Sequence, residues 1–159
     1  MNSSNMNQNK KKGQTMKINI EFPKKLLEVY NDACKPLCKE LKLPQTAFDI
    51  LMFLANNPQY QTARDIVKIR NIKANLVSVN VDRLVQEGYL IREEVKGDRR
   101  KTKLICTKQA RPVIKQGQKL QKDFVDQIFA NTSQEEKRIF IKVMETMDEN
   151  LNQILKGGR

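Results

Sequence analysis

Apolar residues recur at helical spacing from Pro23 to Leu41, through Leu26, Leu27, Tyr30, Ala33, Cys34, Leu37, Cys38 and Leu41, and predict a first helix. Pro36 sits inside this pattern, where it removes a backbone donor, so a kink or interruption is expected there. Pro44 opens a second helix carrying Phe48, Leu51, Met52 and Leu54, which ends at Asn56-Asn57-Pro58 and is expected to be the most buried. Thr62 followed by Asp65 is a form of capping box and starts a short third helix to about Ile69. Arg70 and Asn71 make the turn into a fourth helix from about Lys73 to Glu87, stopped by Gly88. At roughly 100° per residue, Val77, Val81, Leu84 and Val85 form its inner side, and Asn75, Ser78, Val79, Asp82 and Gln86 its outer side.

The period then changes. Tyr89 to Val95 and Lys101 to Thr107 are β-branched and charged in partial alternation, as in a two-stranded ribbon with one face on a core, with Lys96-Gly97-Asp98-Arg99-Arg100 at its tip. Thr107 is expected to cap a long fifth helix to about Ala130, with Pro112 near its start and Val113, Leu120, Phe124 and Ile128 on its apolar side. Ser133-Gln134-Glu135-Glu136 is a full capping box before a sixth helix, in which Phe140, Val143, Met147, Leu151 and Ile154 run in a near-heptad. Residues 1–16 lack apolar periodicity and read as a disordered tail in which Lys10, Lys11 and Lys12 are solvated, with Met16 an alternative start. No internal repeat is present.

Charge sharpens the picture. The chain of 159 residues carries a net +12, distributed as 14 basic and 6 acidic side chains over residues 59–116 and as 7 of each over 117–159. A basic excess kept on the two short helices and the ribbon favours a polyanionic partner, since a uniform solubility effect would not leave the C-terminal quarter neutral. The absence of histidine removes His-based triads and most zinc sites, and no phosphate-binding glycine loop is present, so an enzyme is not expected, nor is a cofactor or metal. Cys34, Cys38 and Cys106 include no C-x-x-C pair, and with no apolar signal segment and no apolar run longer than Ile50 to Ala55, the expectation is a cytoplasmic protein that avoids membranes.

In LPQTAFDILMFLANNP, TARDIV, VDRLVQEGYLIR and above all GDRRKTKLICT, the chain resembles MarR-type winged helix-turn-helix regulators over about residues 23 to 156. The last segment is similar to that family's Asp-x-Arg wing, strand and Leu/Ile-x-Thr helix start. The resemblance implies a mainly α fold with a small β-hairpin wing, a winged helix-turn-helix with N- and C-terminal dimerisation helices. It implies a homodimer whose first, fifth and sixth helices interlock, whose fourth helices enter successive major grooves and whose wings reach flanking minor grooves of double-stranded DNA. The organisation expected is a tail at 1–16, a first dimerisation helix at 17–43, the DNA-binding region at 44–107 and C-terminal dimerisation helices at 108–159. Lys73 stands where the family usually has a Ser-like cap, and Val79 where a basic or polar residue is common, so an operator sequence does not transfer. The family's zinc-responsive branch needs histidines that are absent here.

The expected DNA-binding residues are Thr62, Arg64, Arg70, Lys73, Ala74, Asn75, Ser78, Val79, Asp98, Arg99, Arg100 and Lys101. Thr62, Arg64, Lys68, Arg70 and Lys73 would hold phosphates, Asn75 and Ser78 would reach base edges, and Val79 would meet a thymine methyl. By resemblance, Asp98 orients an arginine and Arg100 enters the minor groove, with Arg99 and Lys101 on phosphates. Phe48, Met52, Met144 and Met147 are candidate walls of a small-molecule effector pocket. Two other readings stay beside a ligand-released repressor: a redox switch at Cys34 or Cys38, one helical turn apart, and a non-specific nucleic-acid-binding module.

Overall fold

The structure is a computed structural model that describes residues 21–95 and 97–157, the side chains of Arg99 and Arg100 excepted. The expected tail at 1–16, with Lys10, Lys11 and Lys12, lies outside the described residues, as does Lys96. The elements follow the order α1 (Glu21–Leu41), α2 (Gln45–Asn56), α3 (Ala63–Arg70), α4 (Ala74–Gln86), β1 (Leu90–Val95), β2 (Asp98–Cys106), α5 (Arg111–Ile128) and α6 (Gln134–Gly157). This is a mainly α fold with one antiparallel hairpin.

Helix α2 is the centre. Ala47, Phe48, Ile50, Leu51, Met52, Phe53 and Leu54 are all buried, which leaves little of it facing water. One side packs with Ile66 of α3, Val77, Val81 and Leu84 of α4, Leu90 and Leu104 of the hairpin, and Ala110 and Val113 at the start of α5. The other side, through Phe48 and Met52, packs with Cys34 and Cys38 of α1, flanked by Tyr30, Leu37 and Leu120. Gly117 of α5 is buried against this second cluster, and a Cβ there would meet Met52 Sδ and crowd Phe48, so a side chain at this crossing would require the end of Met52 to move.

Two expectations need correction. The interruption expected at Pro36 is absent: the helical run of α1 continues through it. Pro36 lies on the exposed side, so the Asp32 carbonyl left without its donor meets water, while the stripe through Cys34 and Cys38 continues on the buried side. Helix α5 begins at Arg111 rather than at Thr107. Thr107 instead caps the intervening turn: its Oγ1 accepts from the Ala110 amide at 3.3 Å and donates to the Gly88 carbonyl at 2.6 Å. With the Thr107 amide donating to the Tyr89 carbonyl at 3.0 Å and Gln109 Nε2 to the Glu87 carbonyl at 3.1 Å, the end of α4 and the approach to α5 are tied in one knot. Gly88 sits at its middle with φ +78°, and a side chain there would strain the backbone and strike Gln109.

The hairpin pairs Leu90 with Cys106, Arg92 with Leu104 and Glu94 with Thr102, then shifts register after Glu94, so that Val95 faces Asp98. The strand therefore reaches into the stretch expected as the tip. Helix α6 opens with the expected box: Ser133 Oγ accepts from the Glu136 amide at 3.2 Å, and Glu136 Oε2 accepts from the Ser133 amide at 2.7 Å. No residue of α6 is buried. Consequently Met144 and Met147 are half exposed there and do not join Phe48 and Met52, so these four form no common pocket within one chain.

Candidate nucleic-acid interface

The interface is built on α3, α4 and the hairpin. At the start of α3, Thr62 Oγ1 accepts from the Asp65 amide at 3.1 Å and donates to Asp65 Oδ2 at 2.8 Å. The same Oδ2 accepts from the backbone amides of Thr62 at 2.9 Å and Gln61 at 3.1 Å. These bonds, the Thr62 hydroxyl first, hold the Asp65 carboxyl below the usual range. Thr62 thus forms the capping box expected of it, with its hydroxyl engaged by the helix. The turn follows from Asn71, left-handed at φ 51°, a conformation that asparagine tolerates better than most residues.

Helix α4 divides as its wheel predicts. Val77, Val81 and Leu84 are buried and Val85 is partly so, whereas Asn75, Ser78, Asp82 and Gln86 are exposed and Val79 is 65% exposed. Two features of α4 were not foreseen. Asn80 is buried, with Nδ2 donating to the Leu76 carbonyl at 2.8 Å, and this local bond satisfies an amide that reads as polar in the sequence. Leu76, outside both predicted faces, is 46% exposed.

Charged side chains fix how α4 is presented. Arg92 of β1 pairs with Asp82 of α4, joining the wing to the reading helix and neutralising an acid on the outer side. Arg83 turns away from that side and donates to the Lys42 carbonyl at 2.8 Å. The strand period places Arg92 on the same sheet face as Leu90 and so toward α4, a signal present in the sequence but not used. The hairpin is also tied to the body by the Leu104 amide, which donates to the Gln61 carbonyl at 2.7 Å just ahead of α3.

Several predicted residues come together. Thr62, Arg64, Asp98 and Lys101 line one open groove of about 720 Å³ between the start of α3 and the wing. Arg64 also borders an adjoining cleft of about 420 Å³ with Ala74, Ser78 and Arg92. Lys101 Nζ lies 3.9 Å from the Asp98 carboxylate. Lys73, Asn75 and Val79 are exposed on α4 itself. Arg99 and Arg100 belong to β2, but their side chains lie outside the described residues, so the expected Asp98–arginine contact does too.

Arg70 is placed elsewhere. With Tyr30, Asp49, Met52, Phe53, Asn56, Asn57 and Gln121 it walls a cavity of about 270 Å³ between α1, α2 and α5. Gln121 Nε2 donates to Tyr30 Oη at 3.0 Å, and Gln45 Nε2 to Asp49 Oδ1 at 3.0 Å. Burial pushes the Asp49 carboxyl up and the Tyr30 hydroxyl to about 12. Cys34 and Cys38 are buried beside this cavity, and burial raises the first thiol and takes the second to about 11. At neutral pH that leaves on the order of one thiolate in ten thousand at Cys38, which speaks against an oxidant sensor. Among the described residues no cluster of His, Cys, Asp and Glu is placed to hold a metal ion, and no helix is long and apolar enough to cross a membrane.

A short helix, a tight turn, an exposed second helix and a hairpin clamped to it define a winged helix-turn-helix. The sequence profile of the MarR family matches residues 41–101, from the end of α1 into the wing. An uncharacterised HTH-type transcriptional regulator of Bacillus subtilis, YdgJ, is 29% identical over 112 residues, covering 70% of this chain and 68% of the relative. Among solved structures, a MarR protein from Peptoclostridium difficile covers 89% of this chain and 95% of its own, with TM-score 0.68 and 22% identity. A putative MarR family transcriptional regulator from Listeria monocytogenes, complexed with 26mer DNA, has TM-score 0.74 at 17% identity, covering 86% of this chain and 90% of its own. Residues 41–101 thus match the MarR family's profile, and the chain has the winged helix-turn-helix fold of the solved MarR structures.

Proposed function

We propose that this protein is a transcriptional regulator, a cytoplasmic homodimer that represses by binding a pseudo-palindromic operator and is released by a small-molecule effector. The observation that carries the reading is the clamped presentation of α4: its outer side is bare while Arg92 and Asp82 hold it to the wing. Arg64, Lys68, Lys73 and Lys101 surround that side with positive charge suited to phosphates, and Asn75, Ser78 and Val79 face base edges. Arg100 enters the minor groove beside the wing. A second copy covers α6, joining it through the exposed Phe140, Met147 and Leu151. The effector occupies the 270 Å³ cavity, since Arg70 at the end of α3 connects its wall to the reading unit. An effector that prefers a splayed dimer would move the two α4 helices off one-turn spacing and lower affinity by population shift.

The test is to select DNA fragments with the purified protein, sequence them and measure affinity for the best fragment. A two-fold related pair of half-sites about one helical turn apart is expected. Arg100→Ala should weaken binding, and Lys101→Ala should lower the salt dependence by about one phosphate contact. Protection of no particular sequence would replace this reading with the non-specific module.

A further inference from the structure

We infer that Leu76 and Val79 act as a pair that reads two thymine methyl groups in each half-site. The inference rests on the operator-binding reading above and names what the reading helix recognises. Val79 is 65% exposed and Leu76 is 46% exposed, so neither is held in the core below α4. On the wheel Val79 lies at the centre of the outer side, with Asn75 and Leu76 to either side of it. A β-branched residue gains nothing from helix propensity at such a position, and an apolar pair on an otherwise polar side indicates a covered surface.

Charge selects the occupant. Lys73 precedes the pair on the chain, Arg64 borders a cleft with Ala74 and Ser78 of α4, Lys101 lines the groove between the start of α3 and the wing, and Lys68 is exposed on α3. The acid on the same side, Asp82, is neutralised by Arg92. An exposed apolar pair on a helix-turn-helix and wing that carry these exposed cations fits a surface whose backbone is anionic and whose edge offers small apolar groups. The thymine methyl in the major groove is such a group, and no other base displays one there.

Spacing adds a constraint. Residues three apart on a helix have Cβ atoms about 5–6 Å apart, and base pairs are stacked at about 3.4 Å, so the two methyls belong to thymines one or two base steps apart. Cytosine in either place offers no methyl, and adenine presents polar groups instead.

The experiment uses the full chain and the operator obtained by selection. Each half-site is expected to hold thymines one or two steps apart, and replacing either by uracil, which lacks only the methyl, should weaken binding about fourfold, the loss of one buried methyl-sized group. Val79→Ala should abolish sensitivity at one position and Leu76→Ala at the other, each leaving the second sensitivity intact. Both side chains are exposed, so the thermal midpoints of the variants should match the wild type, which separates reading from folding. An operator whose uracil versions bind as well as the parent, or on which wild type and variants lose equally, overturns the pair while leaving operator binding in place. If no operator emerges from selection, both readings fall together.

Discussion

Helices α2 and α6 are both rich in large apolar residues and end in opposite states. In α2, seven of 12 residues are buried. In α6, which has 24, none is, and Ile139, Phe140, Ile141, Val143, Met144, Met147, Leu151, Ile154 and Leu155 all stand about half or more exposed. The capping boxes do not account for the difference, since α6 has a complete one and α2 has no side-chain cap at all. Local sequence decides that a helix forms. Whether its stripe is covered depends on what the chain can bring to it, and α2 receives α1 on one side and α3, α4, the hairpin and α5 on the other.

The widest break in this comparison comes from truncating each stripe. Leu84→Ala, in the core beside α2, should destabilise by about 2–5 kcal/mol in urea unfolding. Leu151→Glu should leave the reading module folded by circular dichroism and halve the mass measured by light scattering. A Leu151→Glu dimer of unchanged mass would place the covering surface elsewhere.

Gly117 is where α5 presses on α2. Gly117→Ala should cost about 1–3 kcal/mol, because the new methyl meets Met52 Sδ and the ring of Phe48. Met52→Ala in the same chain should recover part of that loss. Additive costs in the double variant would show that α5 does not bear on α2 at this point.

The smallest effect is expected at Thr62. Removing its hydroxyl by Thr62→Ala should cost about 1 kcal/mol, the usual worth of an N-cap. Because the Asp65 carboxyl is held low in the folded state, its contribution is present above the unfolded carboxylate pKa and is lost as pH falls through the folded value. The variant should therefore show a flatter fall in stability below about pH 4 than the wild type. Equal slopes would mean that Asp65 is held by other groups.

Legibility followed the range of the interaction. The capping boxes at Thr62 and Ser133, the stop at Gly88 and the inner side of α4 are set within a few residues, and the sequence displayed them. Pro36 does not interrupt α1, because the penalty it carries depends on which side of the helix faces water, a tertiary fact. Thr107 looked like a helix cap because it is one hydrogen bond from Ala110, yet α5 waits until Arg111. In the candidate site, Ser78, Ala74 and Arg64 were expected and are neighbours. Arg92 could have been placed from the strand period, whereas Arg83 and Arg70 could not be sorted in advance, since they carry the same charge and only the fold sends one to Lys42 and one into a cavity wall.

The knot at Gly88, Thr107 and Gln109 has a mechanical consequence. It ties the residues that leave α4 to those that enter α5, at the end of α4 far from Lys73 and Asn75. Thirteen residues make α4 a lever about 20 Å long. Turning it by about ten degrees at the knot swings Lys73 and Asn75 through about 3.5 Å, which is one base step.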